Sequence, residues 1–349
     1  MRWPIPRAGA SLNHVGTGLT ANCHELIDRQ RGVLARWQAP AVGLDTAAID
    51  NRLRCGRWRA LHRGVYATFT GDLSREAELW AAVLRAGPLA VLSHYTAAEL
   101  DGLTSTGSAV IHVTVPGGKH VDPIPGVRLH RSERLAQARH PTRTPPRTRI
   151  EETVLDLTQT ARTIDAAFGL LCQACGSRLT TPDRLLAAMS SRRKMRWRDT
   201  LRSALCDVGD GAHSVLEIRY IRDVERPHAL PRARRQARVT REPARIYLDN
   251  LLDRYQTCIE LDGKAAHPVA DRWRDIQRDN ASAADGIITL RYGWPDVAQR
   301  PCRTAAQIAA VLRQRGWPGS ASPCCGACAV AVHDPGGLSA VCAENPPRS

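Results

Sequence analysis

Residues 258–267, Cys-Ile-Glu-Leu-Asp-Gly-Lys-Ala-Ala-His, place Glu260, Asp262, Lys264 and His267 within eight positions at the end of an apolar run. Period-two alternation puts Cys258, Glu260 and Asp262 on one face of a strand, with Ile259 and Leu261 on the other. Asp249 lies eleven residues before Glu260, in a second strand-like run, RIYLDNLLD. Asp253-Arg254-Tyr255 is the turn between the two, so Asp249 and Glu260 are expected as cross-strand neighbours. Facing like charges destabilise a sheet, and a divalent cation removes that cost. Mg²⁺, or Mn²⁺ in its place, takes carboxylate oxygens and also binds phosphate. At such a site it polarises a phosphodiester and generates a nucleophilic hydroxide. Lys264 or His267 is the candidate for positioning or deprotonating water, since a histidine near its ordinary pKa acts as acid or base at neutral pH. The competing role for His267 is a hydrogen bond or cap before Pro268.

These acids need elements to hold them. HSVLEIRYIRDVER, 213–226, is expected as a helix capped by Ser214. Tyr220, Ile221 and Val224 follow Glu217 at helical spacing, which places Glu217 in the buried stripe, where a carboxylate needs a partner. Two partners suit it: a metal shared with Asp249 and Glu260, or the cap itself, because Ser214-x-x-Glu217 is a capping-box pattern. ADRWRDIQRDNASAADG is expected as a charged helix whose Arg278 orients the site or touches phosphate, and IITLRYGW as a last strand. Between 226 and 245 stand seven arginines and one acid, Glu242. Arg234, Arg235 and Arg238 are candidates there for phosphate contact by counterion release.

The N-terminal third has a different layout. HELIDRQRGVLARWQAPAVG is expected as one helix stopped by Gly43. Asp45 is the expected N-cap of a second, TAAIDNRLRCG, and RWRALHRGVYATF alternates about a turn near Gly64. Helix, turn, helix and hairpin is the order of a winged helix-turn-helix, whose second helix enters the major groove while its basic end and wing meet phosphates. Arg52, Arg54, Arg57, Arg59 and Arg63 occupy those places. A small helical subdomain with a solvated basic face is the alternative.

The chain has 349 residues and a formal net charge of +15, a length that suits more than one core and a charge that favours polyanionic partners. No apolar run is long enough for a membrane span, and residues 1–20 lack a signal-peptide stretch, so a cytoplasmic chain without a membrane partner is expected. There are eleven cysteines, but the two C-x-x-C pairs, Cys172–Cys175 and Cys325–Cys328, lie much too far apart for a zinc ribbon, which wants its pairs within about 20 residues. The expected organisation is an irregular leader (1–22), a winged-helix domain (23–105), a mixed middle domain (106–190), a basic linker (191–210), an α/β catalytic domain (211–317) and a mobile Cys- and Pro-rich tail (318–349).

Taken together, SVLEIRY, YLDN, ELDGKAAH and RWRDIQRDN resemble the very-short-patch-repair-like endonucleases, and more closely domain-of-unknown-function family 559 grouped with them. Both have the PD-(D/E)xK restriction-endonuclease-like fold. The resemblance spans about residues 211–294 and implies Asp249 and Glu260 as metal-binding carboxylates and a catalytic part for His267. Asp262 stands where the restriction-type signature has its catalytic lysine. That departure leaves open a non-catalytic DNA-binding regulator with an inactive nuclease fold. Residues 25–105, on GRWRALHRGVYAT and LSHYTAAELDGL, more loosely resemble the winged-helix domain of abortive-infection antitoxins. This implies DNA binding, with a cognate toxin as a further partner; self-association as a homodimer is also open.

Overall fold

The computed structural model describes residues 19–105, 107–241, 244–262 and 283–332, with backbone alone at 239–241 and 244–246. It is an α/β protein that divides into two compact units, residues 1–100 with 104–149 and residues 101–103 with 150–349. This division replaces the expected one. The middle region is split at 149/150, its strands and one short helix joining the first unit and its later helices the second.

In the first unit, α1 (Ala21–Arg29) starts where the Thr20 hydroxyl accepts the Cys23 N–H. The expected helix across 24–43 stops at Arg29 because Arg31 and Gly32 turn into the left-handed region, at φ 55° and 81°. A Cβ on Gly32 would lie 2.6 Å from the Phe69 ring. The chain instead forms β1 (Val33–Ala35) and a 3₁₀ turn, Arg36–Val42. Helix α2 (Thr46–Arg54) is capped as expected, the Asp45 carboxylate accepting the Ala48 N–H at 2.6 Å. Strands β2 (Arg59–His62) and β3 (Val65–Ala67) make the hairpin, and β1 adds to it in the order β1-β3-β2.

Helix α3 (Arg75–Ala86), capped by Ser74, is buried almost all round, which a helix of this composition tolerates only between two apolar layers. Ala77, Trp80, Ala81 and Leu84 pack on Val33, Ala35 and Val65 of the first sheet. Leu79, Ala82, Val83 and Ala86 pack on Leu92, Ile111, Val113 and Val115 of a second. That second sheet has the order β4 (Val91–Leu92), β5 (Ile111–Pro116), β6 (Val127–Ser132), with β4–β5 antiparallel and β5–β6 parallel. Between β4 and β5 lies α4 (His94–Leu100), and a short α5 (Leu135–Ala138) follows β6. The shared helix explains why residues 107–149 belong with the N-terminal region.

In the second unit, α6 (Ile150–Thr160), α7 (Ile164–Gly176), α8 (Pro182–Ser190) and α9 (Arg198–Gly209) form a helical layer. The basic stretch expected as a linker is part of this layer. Arg192, only 11% exposed, pairs with Glu152 and with Asp156 at 2.8 Å, and Arg198 donates to the Met189 carbonyl at 3.0 Å. Helix α10 (Val215–Arg219) continues as a π turn through Glu225 and is tied to α7 by a bidentate Arg219–Asp165 pair. The sheet is four-stranded: β10 (Ile288–Gly293), β9 (Thr257–Asp262), β8 (Ala244–Leu252), β7 (Arg234–Arg241), in that spatial order. Strands β7, β8 and β9 are antiparallel neighbours, and β10 runs parallel to β9. Strand β7 arises where an arginine-rich surface stretch was expected. After β10 come α11 (Pro301–Gln314) and a short α12 (Ala329–Val332). The tail expected to be mobile is described as far as 332: residues 322–327 are exposed, while the Ser322 N–H donates to the His228 carbonyl and Cys328 is fully buried.

Candidate functional site

The β8–β9 register pairs Leu252 with Thr257, Leu251 with Cys258 and Asn250 with Ile259; Asp249 and Glu260 are the residues just beyond the last of these pairs. The 3₁₀ turn Asp253–Tyr255 makes this short connection, with Gln256 in the left-handed conformation. Asp249 accepts the Leu261 N–H at 3.3 Å and a 3.4 Å hydrogen bond from Gln236, the residue skipped in the β7–β8 pairing. Glu260 is 7% exposed. Its partner on the parallel strand is Arg291, whose Nη1 lies 2.7 Å from Glu260 and 3.4 Å from Asp262. Beside the acids, burial and then the charges of Glu260 and Asp249 push the Cys258 thiol up to about 12, so it stays a thiol at neutral pH.

Glu217 makes its cap. Its Oε2 accepts the His213 N–H at 3.0 Å, its Oε1 accepts the Ser214 hydroxyl at 2.9 Å, and its own N–H donates to Ser214 Oγ at 3.1 Å. Burial raises its pKa, those two donors oppose the rise, and the charge of Asp249 adds to it. Both oxygens are thus engaged in capping the start of the helix, which is the capping half of the two roles weighed from sequence. Asp249 and Glu260 are hard oxygen donors suited to Mg²⁺ or Mn²⁺. Among the described residues, however, the His, Cys, Asp and Glu sets with three or more donor atoms all within 4.8 Å of one another include neither. Lys264, His267 and Arg278 lie outside the described residues.

The arginines chosen for DNA divide by what they touch. Arg54 is exposed at the end of α2, Arg57 between α2 and the hairpin, Arg63 in the hairpin turn, and Arg238 on β7. Arg52 lies over the Trp58 ring at 5.5 Å and donates to the Ala48 carbonyl; Arg59 donates to the Gly71 carbonyl. Arg234 forms a two-point surface pair with Asp253. Arg235 is a correction. Its side chain is 5% exposed and is taken up by Glu225 at 2.6 Å and Asn250 at 2.7 Å, so it holds the sheet to the π turn and is not presented to a ligand.

Two clusters escaped the sequence reading. Where α4 begins beside β5 and β6, the rings of His94 and His130 stack at 3.7 Å, and His112 Nδ1 lies 3.0 Å from His130 Nε2. Ser93 joins them, at 3.0 Å from His94 Nδ1 and accepting from Thr114 at 2.7 Å. Near-parallel rings, 14° and 15° apart, aim their in-plane lone pairs side by side and make a poor metal cage; the set is a hydrogen-bonded stack. The other cluster is His228 with Cys302, Cys324 and Cys328. Arg291 was missed as well: the run IITLRYGW marks a strand that carries a cation, and only the β9–β10 pairing brings that cation to Glu260. No protein-family model matches the chain, and no curated protein matches it.

Proposed function

We propose that the chain is a DNA endonuclease that hydrolyses phosphodiesters at Asp249 and Glu260 with Mg²⁺ or Mn²⁺. The observation that carries this reading is the short β8–β9 hairpin, whose pairing ends at Asn250–Ile259, with Asp249 and Glu260 next on the two strands and the Asp249 carboxylate accepting the Leu261 N–H. A bound divalent cation would supply charge neutralisation and an acidified water there. Asp249, oriented by the Leu261 N–H, and Glu260 would hold it. Arg291 brings positive charge to where Glu-x-Asp lacks the signature lysine, and a fixed guanidinium stabilises charge developing on a transferring phosphoryl group. Lys264 and His267 keep the role of moving the proton from water. The exposed arginines of α2 and the hairpin bind the DNA backbone in a winged-helix manner, and DNA is the partner this implies.

The 2.7 Å Arg291–Glu260 pair also favours a second reading, in which an internal cation has replaced the metal and the protein is a DNA-binding regulator or antitoxin on an inactive nuclease fold. Supercoiled plasmid incubated with the protein in Mg²⁺, in Mn²⁺ and in EDTA separates the two. Metal-dependent nicking that Asp249→Ala abolishes supports the endonuclease. Binding without cleavage, on DNA and on structured RNA alike, rejects it in favour of the regulator.

A further inference from the structure

We infer that His228, Cys302, Cys324 and Cys328 form a tetrahedral zinc site that fastens the C-terminal segment to the rest of the second unit. The site is independent of the acids on β8 and β9. The four donor atoms lie within 4.8 Å of one another. Cys302 Sγ is 3.5 Å from Cys324 Sγ, and Cys324 Sγ is 3.8 Å from Cys328 Sγ. Thiolates on one zinc, with Zn–S near 2.3 Å and tetrahedral angles, stand roughly 3.8 Å apart.

The histidine carries the argument beyond proximity. His228 is fully buried, and its Nδ1 lies 2.8 Å from the Val224 carbonyl. The carbonyl can only accept, so Nδ1 carries the proton and Nε2 presents a lone pair. That Nε2 is buried and has no hydrogen-bond partner, a costly arrangement for a polar atom unless it binds something. A ring nitrogen fixed by a backbone carbonyl through its other nitrogen is the usual support of a metal-bound histidine.

The local chain suits the sulfurs too. Cys302 is the second residue of the 14-residue helix α11, which starts at Pro301 with no side-chain cap. Cys324 and Cys328 flank a tight turn in which the Cys328 N–H donates to the Cys325 carbonyl. Three soft sulfurs and one imidazole select zinc over magnesium, and four protein ligands leave no open position, which makes the site structural. Binding releases the three thiol protons to solvent. The sequence pattern pointed to Cys325–Cys328, whereas the fold selects Cys324 and draws its other ligands from 228 and 302.

The test is metal content of the full chain, purified without strong chelator, by mass spectrometry of bound metals. About one zinc per chain is expected. Cys302→Ser, Cys328→Ser and His228→Asn should each lower it at least tenfold, while Cys325→Ser, Cys172→Ser and Asp249→Ala retain it; retention in the last keeps this result separable from the nuclease reading. Because ligand variants can fail to fold, the wild-type chain is also exchanged into Co²⁺, where intense visible bands of tetrahedral thiolate-bound cobalt are expected. Wild type that takes up neither metal, or octahedral cobalt spectra, would overturn the assignment. So would a Cys325→Ser loss equal to that of Cys302→Ser.

Discussion

Arg235 and Glu225 bury opposite charges against each other, each side chain 5% exposed. Removing one partner of such a pair leaves an uncompensated charge in the interior, at a cost of about 3–5 kcal/mol. Arg235→Ala is therefore expected to lower the urea midpoint of the second unit steeply, and Arg235→Ala with Glu225→Gln to recover part of the loss. An unchanged midpoint in the single variant would remove the pair as the link between β7 and the π turn. At Glu217 burial raises the pKa, so charge, not shape, is the cost of that position. At pH 7 Glu217→Gln, which keeps an acceptor for the His213 N–H, should be near neutral, and Glu217→Ala should lose roughly 1 kcal/mol of capping, measured by chemical unfolding.

Among the elements, α2 rests on one cap. The Asp45–Ala48 bond satisfies an otherwise orphan N–H, and Asp45→Ala is expected to cost about 1 kcal/mol, seen as a lower denaturation midpoint of the first unit. Were DNA binding also lost at temperatures where that unit stays folded, the cap would be acting on presentation of Arg54 and Arg57 as well. The second sheet adds a pH dependence. Burial, then His112 and Arg128, push His130 down to about 4 from an ordinary 6.5, and His112 is lowered for the same first reason. The unfolded chain takes up protons below 6.5, while folded His130 refuses its proton until about 4 and folded His112 until below its ordinary value. Stability of this unit is thus complete above pH 6.5 and is lost as pH falls toward 4. Melting curves between pH 4 and 7.5 should show that slope, and His130→Phe, which keeps a ring in the stack, should flatten it.

At the scale of the molecule, a net charge of +15 predicts DNA affinity that falls linearly on a log–log plot against salt. If 6–10 phosphates are contacted, the loss between 50 and 200 mM salt is about 10³–10⁵-fold, measurable by fluorescence anisotropy; a flat dependence would reject backbone contact. Among the described residues no helix is long and apolar enough to cross a membrane.

Local chemistry made much of this legible in advance. Asp45 before α2, Ser214 with Glu217 and the Asp253–Tyr255 turn between β8 and β9 are short-range patterns. What no window of sequence could supply is what arrives from far along the chain. Strand β10 lies parallel to β9, which brings Arg291 to Glu260. Helix α3 is clamped between two sheets, which moves the unit boundary to 149. The fold also joins His228 to cysteines more than seventy residues away. Hydrogen bonds along a turn are fixed by neighbours in sequence, whereas burial of a face is fixed only by whatever else packs against it, and that is decided by the whole chain at once.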